Sequence, residues 1–183
     1  MRWTIHWALM AALALSAAGL HAATVSVTGA ENKGQLSVME KEIRKELITL
    51  PFYGVFDYIT FEVQGNNVVL QGEVSRPTLF TSAERVVARV AGVESVENQI
   101  EVLPVSFFDN SIRLSLLRAI YGDNVLNRYA AGSNPWIRLI VKNGNVVLEG
   151  YVDREMDKNI ARIRANQVAG SFTVTNNLVV KTT

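Results

Sequence analysis

The feature that most constrains this chain is that it repeats itself. Val63-Gln-Gly-Asn-Asn-Val-Val-Leu-Gln-Gly-Glu-Val-Ser-Arg76 returns as Val141-Lys-Asn-Gly-Asn-Val-Val-Leu-Glu-Gly-Tyr-Val-Asp-Arg154, an offset of 78. The same offset carries Ala91-Gly92 onto Ala169-Gly170, Val96 onto Val174, Asn98 onto Asn176 and Val102 onto Val180. Register held this long means one supersecondary unit used twice. Further upstream, Ile43-Arg44 matches Ile112-Arg113 at an offset of 69, so the second copy carries nine extra residues. They fall within Gly122 to Pro135, rich in Asn, Gly and Ala, which reads as a lengthened loop.

Each copy has one grammar. Met39, Ile43, Leu47 and Leu50 recur at helical spacing, as do Phe108, Ile112, Leu116 and Ile120 in the second copy. Two alternating strands follow, joined at Asn66-Asn67 or Asn143-Gly144, residue types that tolerate the positive φ of a tight hairpin. A second helix opens at Ser75 with Pro77, or at Asp153 with Glu155. Its apolar stripe is Leu79, Ala83, Val86 and Val90, or Met156, Ile160 and Ile163. An Ala-Gly exit leads to a final strand, 95–103 or 173–180. The expected fold is α+β: two tandem αββαβ domains, each a three-stranded mixed sheet with both helices on one face and the other face open. The domains are expected at 36–103 and 105–182, with a Leu-Pro-Val joint at 103–105 too short for independent motion.

The first 23 residues read differently. Met1-Arg2, an almost uncharged run from Trp3 to Leu20 and a small-residue finish at Ala22-Ala23 describe a secretory signal peptide, followed by a tail over 24–35. An uncleaved anchor is the rival, since the apolar run is nearly bilayer length. Both histidines, His6 and His21, lie in this leader, and the chain has no cysteine. The mature part thus lacks the usual zinc ligands and the groups of most nucleophilic triads, so it is read as no enzyme, with neither metal nor cofactor and no small-molecule substrate. Its near-neutral charge gives no general pull on nucleic acid.

The run Val-x-Asn-Gly-x-Val-x-Leu-x-Gly-x-Val over 141–152, then a helix, then Ala169-Gly170 and Val174-x-Asn176-x-Leu178-x-Val180, resembles the BON domain. That family is named for bacterial osmotically induced periplasmic proteins and nodulation proteins. The first copy carries the pattern at Val63, Val68, Leu70, Gly72, Val74, Gly92, Val93, Val96, Asn98, Ile100 and Val102, with Asn66-Asn67 where a turn glycine is usual. The second has Ser171 for the valine after Gly170. The resemblance implies a tandem, non-catalytic periplasmic protein that binds phospholipid surfaces and supports the envelope under osmotic stress.

Differences between the copies nominate surfaces. Residues 24–104 hold 11 acidic and 7 basic side chains, and residues 105–183 hold 6 and 10, so the halves oppose in sign. This fits division of labour or a contact between the halves. Arg154, Lys158 and Arg162 form a basic row on the last helix, which the first copy lacks. Such a row meets anionic headgroups or is simply a solvated face. Tyr129 and Trp136, in and after the long loop, suit a membrane–water boundary or a lid over the domain's own core. On the open sheet face the second copy would show Arg138, Lys142, Glu149 and Tyr151. The first would show Glu62, Glu73, Glu97 and Glu101, read as a soluble surface rather than a cation site. Gly72, Gly92, Gly144, Gly150 and Gly170 have no phosphate-loop spacing and are read as turns. The leading expectation is peripheral association with anionic phospholipid; the alternative is an adaptor for other envelope proteins.

Overall fold

The computed structural model describes residues 38–132 and 134–181. The leader expected at 1–23 and the tail at 24–35 lie outside the described residues. The first repeat runs α1 (38–48), β1 (Tyr58–Gln64), β2 (Asn67–Val74), α2 (Pro77–Val87) and β3 (Ser95–Val102). The second runs α3 (Phe107–Tyr121), a 3-10 helix (Leu126–Ala130), β4 (Ile137–Lys142), β5 (Asn145–Val152), α4 (Glu155–Asn166), β6 (Thr173–Asn176) and β7 (Val179–Val180). In each sheet the central strand pairs antiparallel with its hairpin partner and parallel with the last strand. The fold is α+β and mixed-sheet, as the pattern predicts. The last strand of the second copy is broken: β6 and β7 both lie on β5 and part at Asn177-Leu178.

Each core is the helix-facing half of its sheet. Met39, Ile43, Leu47 and Leu50 of the first helical stretch are all buried, against Val68, Leu70, Val74 and Ile100. The matched asparagines tie the third strand to the second helix: Asn98 Nδ2 donates to the Phe80 carbonyl at 3.0 Å, and Asn176 Nδ2 to that of Lys158 at 2.8 Å. Both asparagines carry the same repeated bond, which is why the motif fixes that residue.

Several expectations are corrected. The first hairpin turns one residue early, at Gly65-Asn66, because Gly65 supplies the left-handed conformation (φ 67°). The second helices are capped by Arg76 and Arg154 with no side-chain cap bond, while Ser75 and Asp153 stand one residue outside. Gly72 and Gly150 are not turns but strand-interior positions. A Cβ there would lie 2.1 Å from the Tyr58 carbonyl oxygen and 1.9 Å from that of Trp136. Only glycine lets the hairpin partner approach so closely at positive φ. Finally, the sheet faces away from the helices are not fully open. Lys142 and Glu101 on those faces pair at 2.7 Å, and Val69 and Ile140 on the same faces are buried.

Candidate functional site

The outer surface of α4 differs most from expectation. Its buried residues are Asp157, Ala161 and Ala165, the positions matching Leu79, Ala83 and Val87 on α2. Of the stripe predicted from Met156, Ile160 and Ile163, Met156 and Ile163 therefore point away from the core, while Ile160 packs against its edge. Met156 is 70% and Ile163 52% exposed, with Ile160 half-buried. At about 100° per residue, Met156 and Ile163 lie within roughly 20° of each other on the outward side. The basic row runs along a different side of α4, roughly 100° or more round the helix from them: Arg154 and Arg162 are exposed, Lys158 half-buried, and among the described residues none of the three is in an ion pair.

The two aromatic candidates part company. Tyr129 is 2% exposed, so it lies in the core and out of reach of any lipid surface. Its hydroxyl donates to Asp157 Oδ2 at 2.6 Å and accepts from the Asp153 amide at 2.9 Å. Burial, and then the neighbouring Asp157, push its phenol pKa up. The inserted segment is thus no loose loop: its 3-10 helix delivers Tyr129 to a buried acid on α4. Trp136 stays 42% exposed, with the Lys181 ammonium 3.4 Å above its ring centroid.

Repeat reasoning missed a further feature. Phe107, Phe108 and Phe172 are exposed; Phe108 and Phe172 lie against Gly144 of the Asn143-Gly144 turn, their rings 6.0 Å apart. Phe108 was expected in the core stripe of α3, but only Ile112, Leu116 and Ile120 of that stripe are buried. The turn itself is held from below. Asp109 on the first turn of α3 accepts from the Gly144 amide at 2.8 Å and the Asn143 amide at 3.0 Å. A usable signal was present in the sequence, since Phe172 stands where the first copy has Glu94.

A domain model decides the family: the BON domain matches residues 39–104 and 123–182. The chain belongs to the BON domain family. Both BON matches contain the hairpin, second helix and last strand described above, and α3 lies ahead of the second match. The BON domain is a non-catalytic domain type of envelope-associated proteins. No curated protein matches the chain at significant similarity. Among solved structures, one similar chain is CdsD, a structural protein of the Type III secretion system of Chlamydia trachomatis. It shows 12% identity over 81% of this chain and 92% of that one, with TM-score 0.30. The C-terminal domain of CdsD matches at 15% identity over 78% and 96%, with TM-score 0.27. At those scores neither bears on what this BON protein does.

Among the described residues, no helix is long and apolar enough to cross a membrane. Nor does any group of three or more acidic side chains there stand close enough to hold a metal ion. Glu62, Glu73, Glu97 and Glu101 do share the face of the first sheet away from the helices, but spread over three strands. Burial, with Glu149 and Glu101 nearby, raises the Glu73 carboxyl above its usual range against the pull of Lys142.

Proposed function

We propose that this chain is a non-enzymatic periplasmic protein whose second BON domain associates peripherally with anionic phospholipid membrane and supports envelope integrity under osmotic stress. One observation carries the reading. The second domain exposes large apolar side chains where the first domain is polar, and its last helix carries on another side a row of cations that is in no ion pair among the described residues. Met156, Ile163 and Phe172 match Thr78, Arg85 and Glu94, while Lys158 and Arg162 match Phe80 and Glu84. A duplicated scaffold needs none of these exchanges in order to fold. An apolar side with cations on another side of the same helix is what an interfacial helix uses. Each near-surface cation contributes on the order of 1 kcal/mol against an anionic leaflet. BON membership and the expected leader support the periplasmic setting.

Flotation of the protein with neutral or anionic vesicles, at low and high salt, tests this. Binding is expected only with anionic vesicles and is expected to fade with salt. The triple variant Arg154→Ala, Lys158→Ala, Arg162→Ala should lower the bound fraction at least about tenfold at low salt. Met156→Ser with Ile163→Ser should weaken binding at either salt. Failure to float with anionic vesicles at low salt, or flotation untouched by the triple variant, would sink the proposal.

A further inference from the structure

A groove of about 570 Å³ separates the two domains on the side of Trp136, away from the outward face of α4 that the membrane reading uses. Arg44 and Tyr58 from the first domain, and Trp136, Arg138, Tyr151 and Lys181 from the second, line it. Its chemistry is one-sided. Three cations line it among the described residues, and no carboxylate does. Among the described residues, none of the three is in an ion pair. Glu149, whose charge is felt at Tyr58, is turned to Asn177 at 2.6 Å. Burial above all, with Glu149 and Tyr151, pushes the Tyr58 phenol up to about 12, so it stays a neutral hydrogen-bond donor in any physiological medium.

The geometry points to a docking groove for an acidic, apolar-anchored segment of a partner protein. Exposed Tyr, Trp and Arg side chains around a recess are the composition of binding hot spots. The excess of positive charge in its lining selects carboxylates and rejects basic segments. An acidic glycan is less well served. Stacking a sugar needs a free ring face, yet Lys181 covers Trp136 at 3.4 Å and Arg138 covers Tyr53 at 4.6 Å. Those same stacks hold the cations in place, so little side-chain freedom is left to lose on docking. A recess of this size accepts one or two anchoring side chains, which sets the affinity in the micromolar range.

Trp136 is the reporter. In the full chain carrying Trp3→Phe and Trp7→Phe it is the sole tryptophan. The probes are a blocked glutamate-rich peptide with one leucine, the same peptide with lysine for glutamate, and polygalacturonate. Fluorescence and calorimetry are run together, so that a silent fluorophore is not read as absent binding. The acidic peptide is expected to saturate at roughly 10–100 µM, with affinity falling as salt rises. Arg44→Ala and Lys181→Ala should each weaken it about fivefold. The triple α4 variant should leave it unchanged, which keeps failure here distinct from failure of the membrane proposal. Overturning results are no saturation by the acidic peptide in either measurement, equal binding of the lysine peptide, binding of polygalacturonate alone, or an affinity indifferent to both alanine variants.

Discussion

Position 157 shows how one residue type forces another. Its counterpart in the first repeat is Leu79, 1% exposed, while Asp157 is 2% exposed in the same place on α4. A buried carboxylate without partners costs several kcal/mol. Here it receives the Tyr129 hydroxyl at 2.6 Å and, from the edge, Arg128 at 3.4 Å. Both partners come from the inserted segment, so the insertion and the acid form one device. A double-mutant cycle tests this. Tyr129→Phe should destabilise by about 2 kcal/mol, because it leaves the acid under-satisfied. Asp157→Ala should then cost less in that background than in the parent, with a coupling of at least about 1 kcal/mol in urea unfolding. Additivity within about 0.5 kcal/mol would show the contact to be incidental. The nine extra residues were legible from the two offsets, and so was the Leu-to-Asp exchange. What joined them was not, because nothing in a single sequence says which long-range partner a buried acid takes.

At the scale of elements, α1 and α4 show where periodicity succeeds and where it misleads. Along α1 the stripe through Met39, Ile43 and Leu47 is buried as its spacing predicts, while Val38 and Ile48, off that stripe, are exposed. Along α4 the buried face is built from two alanines and an aspartate, Ile160 packs at its edge, and Met156 and Ile163 face outward. A reading weighted by side-chain size must choose the wrong face there. The offset of 78 already carried the answer, since it maps Ala83 onto Ala161. The same helix is held by the insertion a second time. Asp123 accepts from the Val125 amide at 2.8 Å and the Leu126 amide at 3.2 Å, and Arg164 of α4 donates to it at 2.8 Å. The Val125 amide chiefly, with Arg164 and the Leu126 amide, keeps this carboxyl below its ordinary pKa against the effect of burial. A lowered folded pKa means that the stabilisation is fully present above the unfolded value of roughly 3.9 and lost as pH falls through the folded one. Asp123→Asn should therefore lower stability by about 1 kcal/mol near neutral pH. The parent should approach the variant in melts taken at successively lower pH beneath the unfolded carboxylate value. An equal gap at every pH would mean that the Asp123 charge plays no part.

For the whole molecule, the opposed charges of the two halves are used at least partly between them. Lys142 crosses to Glu101, an exposed pair of modest worth. The stronger link is Arg138, 7% exposed, which reaches from β4 into the loop ahead of β1. Its guanidinium donates to the Gly54 carbonyl at 2.7 Å and stacks on Tyr53, while the neighbouring Leu139 amide donates to the Val55 carbonyl at 2.8 Å. The first domain thereby caps one amide on the free edge of β4, where Tyr121 and Arg113 donate to the Ile137 and Val141 carbonyls, so fewer unpaired backbone groups face other chains. The charge split was visible in the sequence, and a contact between the halves was one of two readings of it. The residue that carries the contact was not visible, because an arginine in a strand looks solvent-facing when only alternation is known. Arg138→Ala should remove this clamp and leave the half-buried Gly54 carbonyl with the Asp57 amide as its remaining donor, at about 1–2 kcal/mol. With the clamp intact, both domains should melt in one calorimetric transition. Without it, two transitions should separate, because each domain keeps its own core of helices on a sheet. Lys142→Ala, which removes only the exposed pair, should leave the single transition intact. If Arg138→Ala lowers the melting temperature but the transition stays single, the cores themselves rather than this arginine couple the two domains.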